Sequence, residues 1–247
     1  MALTAIISGD KPSEVSVTLP NGEQIEVPVK EIISHDGCAR ATIIKDAGDD
    51  PDVTNGCEIV AEVEITVVTG GEGIGIVTLP GLGIEIGQPA INPVPLAMIR
   101  NELRSIFSGG AKVTVSVPKG QELAQKTFNP RIGIMGGISI IGTSGIVKPF
   151  SHQAFIDAIK REMEVAIAIH SDHIILNSGA RSERFLRSEF PDLPNQAFIH
   201  YGNAIGESLS LAHTLGIKNI TVGLMIGKAV KLAEGHFDTH SHKTTMN

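Results

Sequence analysis

Residues 127–151, TFNPRIGIMGGISIIGTSGIVKPFS, restrict what this 247-residue chain can fold into more than any other stretch. Five glycines interrupt two short β-branched runs, residues 131–135 and 138–141, and a basic turn at Lys148 and Pro149 closes the segment. Apolar runs this short, broken by glycine, read as buried strands feeding tight loops. Lacking a Cβ, glycine lets the backbone turn sharply and approach a ligand closely. A helical pattern begins directly afterwards, with Ser151 as its N-cap. Strand, glycine loop and helix in succession place bare backbone N–H groups beside a small molecule. The loop of residues 136–145 is therefore the expected seat of a nucleoside-type cofactor. Its elements are Gly136, Gly137, Gly142 and Gly145, with Thr143 and Ser144 as hydroxyl donors. Close packing of helix on strand selects glycine too, and is the competing reading.

The rest of the chain divides by its grammar. Residues 14–19 and 24–29 alternate apolar and polar around Pro20-Asn21-Gly22-Glu23, a strong hairpin signal because Asn-Gly supplies positive φ values. Residues 38–45, 57–68 and 111–117 read as further strands, and residues 95–107 and 119–126 as helices, an α+β meander. From residue 131 the order changes to strand and helix in alternation. A helix at 151–170 has Phe155, Ile159, Met163 and Ala166 on one face; then come a strand at 173–176, a helix at 181–190 and a strand at 197–201. A helix at 204–215, a strand at 219–224 and a helix at 227–234 complete the pattern. That order predicts a mainly parallel sheet with helices on its faces, a Rossmann-like α/β half. The expected domains are residues 1–128 and 129–247, the second holding the cofactor beyond the carboxyl ends of its strands.

Composition excludes several functions. The net charge of −7, the absence of Trp and the single Tyr201 argue against nucleic acid as a partner. No run approaches the length of a membrane helix and the N-terminus lacks the pattern of a secretory signal, so a cytoplasmic protein is expected. Cys38 and Cys57, with no CxxC, read as two free core thiols in a reducing compartment.

Four motifs invite chemistry. Asp46, Asp49, Asp50 and Asp52 crowd one loop, but their spacing is wrong for calcium and Pro51 interrupts them, so solvated Asx-turns compete with ligand contact there. Residues 70–87 are glycine-rich, but Thr78 stands where a dinucleotide fingerprint needs its third glycine, and no helix pattern follows. Residues 223–229 miss a Walker loop by one residue in length and by Ala229, where Ser or Thr must hold magnesium. His236, Asp238, His240 and His242 alternate in HFDTHSH, which suits a metal on a strand or a solvated tail; no resident metal is expected. The turn after the second α/β strand, Asn177-Ser178-Gly179, leads to Glu183, either a ribose-diol acceptor or an exposed first-turn residue favoured by the helix dipole.

The stretch at 127–151 resembles the core of the cobalt-precorrin-5B C1-methyltransferases, the CbiD family of anaerobic cobalamin biosynthesis. Further similar strings are residues 45–56 (KDAGDDPDVTNG), 87–95 (GQPAINPVP), 115–128 (VSVPKGQELAQKTF) and 227–241 (GKAVKLAEGHFDTHS). They run in the family's order from residue 15 to 241. The resemblance implies methyl transfer from S-adenosylmethionine to C-1 of a cobalt-corrinoid precursor. The donor's carboxylate and sulfonium suit backbone N–H groups and carbonyls respectively. A polycarboxylate substrate calls for gathered cations, and Lys45, Arg131, Lys148, Lys228 and Lys231 are the candidates, with solvated surface charge as the alternative. The Thr-His-Ser segment makes His240 the one candidate catalytic residue. Against the family pattern the chain is shortened at both ends, ending six residues after Ser241. A non-catalytic module binding cofactor or corrinoid and a nicotinamide-dependent oxidoreductase are the rival functions. Oligomeric state is open, a homo-oligomer included.

Overall fold

The computed structural model describes residue 2 and residues 9–35, 38–64, 68–106, 112–142 and 151–237. Its contacts divide the chain into two units, Met1–Thr78 with Gly83–Phe150, and Leu79–Leu82 with Ser151–Asn247. The break falls between Phe150 and Ser151, later than the expected position at 128.

In the first unit β1 (Glu14–Thr18) and β2 (Gln24–Pro28) pair antiparallel, with Thr18 opposite Gln24. The hairpin forms as expected, with Leu19 N donating to Glu23 O at 2.7 Å, but only Gly22, at φ +87°, and not Asn21 takes a positive φ in its turn. Next come β3 (Glu31–His35), β4 (Cys38–Ile44), β5 (Glu58–Glu64), β6 (Val68–Gly70) and β7 (Ile76–Val77). Helix α1 (Pro93–Ile106), β8 (Lys112–Ser116) and the short α2 (Gly120–Ala124) follow. One sheet runs β3-β4-β5-β8-β6, antiparallel except for the parallel pair of β6 with β8. Leu96, Ile99 and Leu103, spaced along one face of α1, pack with Ala39, Ala41, Val63, Val113 and Val115 of this sheet. Both cysteines are free thiols; Cys57 is half-buried against the core of this unit, but Cys38, at the start of β4, is exposed and is not a core thiol.

The glycine stretch departs from expectation. Residues 131–135 do not form a strand of a parallel sheet. A 3-10 turn (Asn129–Ile132) ends at Gly133 in the left-handed region, and β9 (Ile134–Met135) pairs antiparallel with β7. Isolated bridges then join Ile138 to Ile74 and Ile140 to Ile91. The reason is crowding of bare backbone. A Cβ on Gly73 would stand 1.9 Å from Val117 O; one on Gly120 would stand 2.1 Å, and one on Gly137 2.3 Å, from Gly73 O. These glycines let three separate segments meet main chain to main chain, the packing use of glycine.

The second unit follows its predicted order. Helix α3 (His152–Ala168) is capped by Ser151, whose hydroxyl accepts from Ala154 N at 3.2 Å. After it come β10 (His173–Asn177), α4 (Ala180–Glu189), β11 (Phe198–His200), α5 (Ile205–Thr214), β12 (Asn219–Gly223) and α6 (Ile226–Ala233). The strands are parallel in the order β11-β10-β12. β10 is buried on both sides, as a central parallel strand must be. Ile174 and Leu176 join Ile159, Met163 and Ala166 of α3, with Ile205 and Ala212 of α5, while Ile175 meets Leu186 of α4 and Phe198. The excursion Leu79–Leu82 belongs here because Gly81, at φ +100°, lies against the α3 backbone, where a Cβ would be 2.8 Å from Glu164 O.

Two substitutions separate the packing glycines from the open ones. Gly120→Ala is expected to lower unfolding stability by about 3 kcal/mol, since main chain cannot yield as a side chain does. Gly142→Ala, with nothing among the described residues within 4 Å of the added carbon, should stay within about 0.5 kcal/mol of the parent. Urea denaturation of both variants makes the comparison.

Candidate functional site

The richest gathering of polar side chains in the second unit lies at the carboxyl edge of its parallel sheet, where open α/β sheets take ligands. β10 runs out through Asn177, Ser178 and Gly179 into α4. Ser178 N donates to Ser182 Oγ at 3.0 Å, and Ser182 Oγ donates to Gly179 O at 2.8 Å. This Ser-to-Ser clasp fixes the turn. Gly179, the N-cap of α4, offers no side-chain cap, so the N–H groups of the first turn keep no side-chain partner from it. A Cβ at this position would meet only His200 Nε2, at 3.9 Å.

Asn177 is fully buried. Its Nδ2 donates to Ile199 O at 3.0 Å, and its Oδ1 is the one buried side-chain oxygen or nitrogen among the described residues without a hydrogen-bond partner. Such an acceptor is costly unless water or a ligand supplies a donor. Beside it Tyr201 N donates to Asn177 O at 3.0 Å, and Tyr201 is buried. Burial pushes the Tyr201 phenol up, against a hydrogen bond with Ser178 that pulls it down.

Helix α6 brings Lys228 to the same edge. Its Nζ donates to Gly202 O and stands 5.6 Å from the centre of the Tyr201 ring, a cation–π contact. Burial, reinforced by Lys231, pulls the Lys228 ammonium below its ordinary range. Lys231 is itself buried, one helical turn on.

Glu183 stands in the first turn of α4, with its Oε1 accepting from Arg187 Nε at 3.0 Å and Nη2 at 2.8 Å. Arg187 in turn donates to Asn195 Oδ1 at 2.7 Å and lies 4.3 Å over the Phe198 ring. The carboxylate is thus part of a ladder that ties α4 to the segment before β11. It need not be spare for a ribose.

The remaining candidates fall in the first unit. Gly136, at φ +78°, and Gly142 are open, with nothing among the described residues within 4 Å of a would-be Cβ, whereas Gly137 is filled by the Gly73 main chain. Arg131 lies in the 3-10 turn, one residue before its end at Ile132. Lys45 Nζ pairs with Asp52 Oδ2 and donates to Thr54 Oγ1 at 2.6 Å, so its charge is engaged within its own loop. Asp46 accepts from Gly48 N at 2.8 Å and Asp52 from Thr54 N at 2.8 Å, the Asx-turn arrangement. Burial pushes the Asp52 carboxyl up, but the hydrogen bonds from Lys45 and Thr54 outweigh it and hold the group below its usual range. Thr143, Ser144, Gly145, Lys148 and His240 lie outside the described residues. Among the described residues no three His, Cys, Asp or Glu side chains could hold a metal ion, and no helix is long and apolar enough to cross a membrane.

Comparison with known proteins adds independent findings. The family model for CbiD matches residues 1–149. A Prosthecochloris aestuarii protein named cobalt-precorrin-5B C(1)-methyltransferase is 46% identical over 100% of this chain and 70% of its own length. A Leptospira borgpetersenii protein of the same name is 42% identical over 100% of this chain and 69% of its own. The crystal structure of a cobalamin biosynthesis protein (cbiD) from Archaeoglobus fulgidus is 28% identical, covering 96% of this chain and 77% of that one, with a TM-score of 0.49.

The Lys45–Asp52 pair gives a pH signature. With its folded pKa depressed, Asp52 contributes stability that is full above the ordinary carboxyl range and is lost as pH falls through the folded value. Asp52→Asn should therefore cost about 1 kcal/mol near neutrality. The gap from the parent should close in acid. Denaturant melts of both proteins at several pH values measure it.

Proposed function

The chain belongs to the CbiD family, and we propose that it is a C-methyltransferase acting at C-1 of a cobalt-precorrin in cobalamin biosynthesis, with S-adenosylmethionine as donor. One observation carries this reading: proteins bearing that name match the chain from end to end at more than two fifths identity. The carboxyl edge of the β11-β10-β12 sheet, read as Rossmann-like, is assigned to the donor.

The residues at that edge suit such a molecule. The uncapped first turn of α4 presents N–H groups and the positive end of a helix dipole, which favour a carboxylate. The orphaned Oδ1 of Asn177 marks an acceptor lacking a donor, and the bare Gly179 leaves room for close approach. S-adenosylmethionine, when bound, supplies a methyl group on positively charged sulfur, already activated for transfer. What the protein must add is alignment, and a well-oriented encounter contributes about 7–11 kcal/mol. The Ser178–Ser182 clasp holds the turn rigid and so fixes where a ligand can lie. Tyr201, buried and raised in pKa, stays protonated at neutral pH and serves as a neutral wall. No acid–base pair is required for such a transfer.

Ala180→Glu tests the assignment. An acidic residue in the first turn of α4 favours the helix but repels an anion at its end. S-adenosylmethionine and S-adenosylhomocysteine are expected to bind the parent and to lose about tenfold in affinity in the variant, with thermal stability unchanged or raised. Unaltered affinity would move the donor away from this edge. Calorimetric binding of NAD in place of the methyl donor, or failure of the parent to methylate a cobalt-precorrin under anaerobic conditions, would overturn the function itself.

A further inference from the structure

The chain is acidic overall, and two of its half-buried cations, Lys45 and Arg187, carry anionic partners, Asp52 and Glu183. Lys228 and Lys231 break that pattern. Among the described residues neither lies within ion-pair distance of a carboxylate. Lys231 is only 8% exposed. Lys228 is pinned by a backbone carbonyl and an aromatic face, contacts that orient an ammonium without neutralising it. Withdrawing a charge from water without a counter-charge is costly, and two like charges one helical turn apart raise the cost for each other. Each lysine is thus a worse neighbour for the other until an anion arrives.

We propose that Lys228 and Lys231 form a carboxylate-binding subsite at the carboxyl edge of the parallel sheet, taking a carboxylate side chain of the ring substrate. This assignment rests on the function proposed above. Placement supports it: α6 follows β12 and Gly202 follows β11, so the contact between Lys228 and Gly202 O lies where such sheets receive ligands. The chemistry supports it as well. An ammonium is a compact charge with three rotatable donors, so Lys228 can keep the Gly202 carbonyl while donating to an anion shared with Lys231. Burial and the neighbouring Lys231 hold the Lys228 pKa below its ordinary range, as expected of an ammonium without a counter-charge. The methyl donor also bears a carboxylate, and the test separates the two sources.

The full chain is titrated calorimetrically with a corrinoid polycarboxylate, with the same ring as its methyl ester, and with S-adenosylmethionine. The parent, Lys228→Met, Lys231→Met and Lys231→Arg are compared. The parent should bind the acid at least about tenfold more tightly than the ester, and each Met substitution should erase about a factor of ten for the acid alone. Lys231→Arg should retain most of the affinity, and S-adenosylmethionine should bind all four proteins alike. Equal binding of acid and ester by the parent overturns the subsite without recourse to any variant. Acid binding unchanged in both Met variants overturns it too, and a loss confined to S-adenosylmethionine overturns the assignment to the ring substrate. Methyl transfer is read separately. A parent that binds the polycarboxylate yet transfers no methyl group would sink the enzymatic reading and leave the subsite standing.

Discussion

The first unit turns on the main chain around Gly73. Its carbonyl accepts from Ile138 N at 3.0 Å, while its own Cα faces Val117 O and its oxygen fills the space in which Gly120 and Gly137 would carry side chains. Three segments far apart in sequence therefore share one point, joined by hydrogen bonds and van der Waals contact between bare backbones. Such contact is short-ranged and steric, so each partner must be glycine at once. The lattice of bridges from Ile74 to Ile138 and from Ile91 to Ile140 follows from it. So does the antiparallel pairing of β7 with β9.

This explains what the sequence made legible and what it did not. The second unit was readable because its signals are periodic. Apolar residues recur along α3 at helical spacing, the strands are short continuous runs, and Ser151 supplies the cap. Burial of one face by another element is the only way to satisfy such patterns, so the bounds of strands and helices along the chain emerge within a residue or two. The Asn-Gly hairpin was readable for a similar reason, since its turn needs one residue in the left-handed region and Gly22 supplies it. At residues 131–137 the signal was ambiguous in principle. Glycine that admits a ligand and glycine that admits another backbone look identical in one chain. Gly137 serves the second use, whereas Gly136 and Gly142 have no neighbour among the described residues that demands it.

The candidate site was legible only in part. The turn Asn177-Ser178-Gly179 announces itself as a strand end, but the orphaned Asn177 oxygen depends on which atom Ile199 engages, which no local pattern encodes. Lys45 and Glu183 illustrate the converse. Each had the right charge in the right kind of loop or turn, yet Asp52 and Arg187 already claim them, at separations of seven and four residues. Charge read along a chain shows what is available, and only packing shows what is committed. Tyr201 and Gly202 were missed because nothing in their own sequence foretells that a lysine from α6 will settle on them.

The excursion Leu79–Leu82 carries a consequence for how the protein can be taken apart. The polypeptide passes from one unit to the other at three places, so neither unit is a continuous length of chain. Leu82, buried at 8% exposure, and Gly81 against the α3 backbone arrive from the midst of the first unit. A ribosome would thus deliver part of the second unit's wall before any of its strands, and a fragment beginning at residue 151 would leave that wall behind. The two units are separate in their cores and interlaced in their thread. Dissection by truncation would injure both, and it is the intact chain that has to be studied.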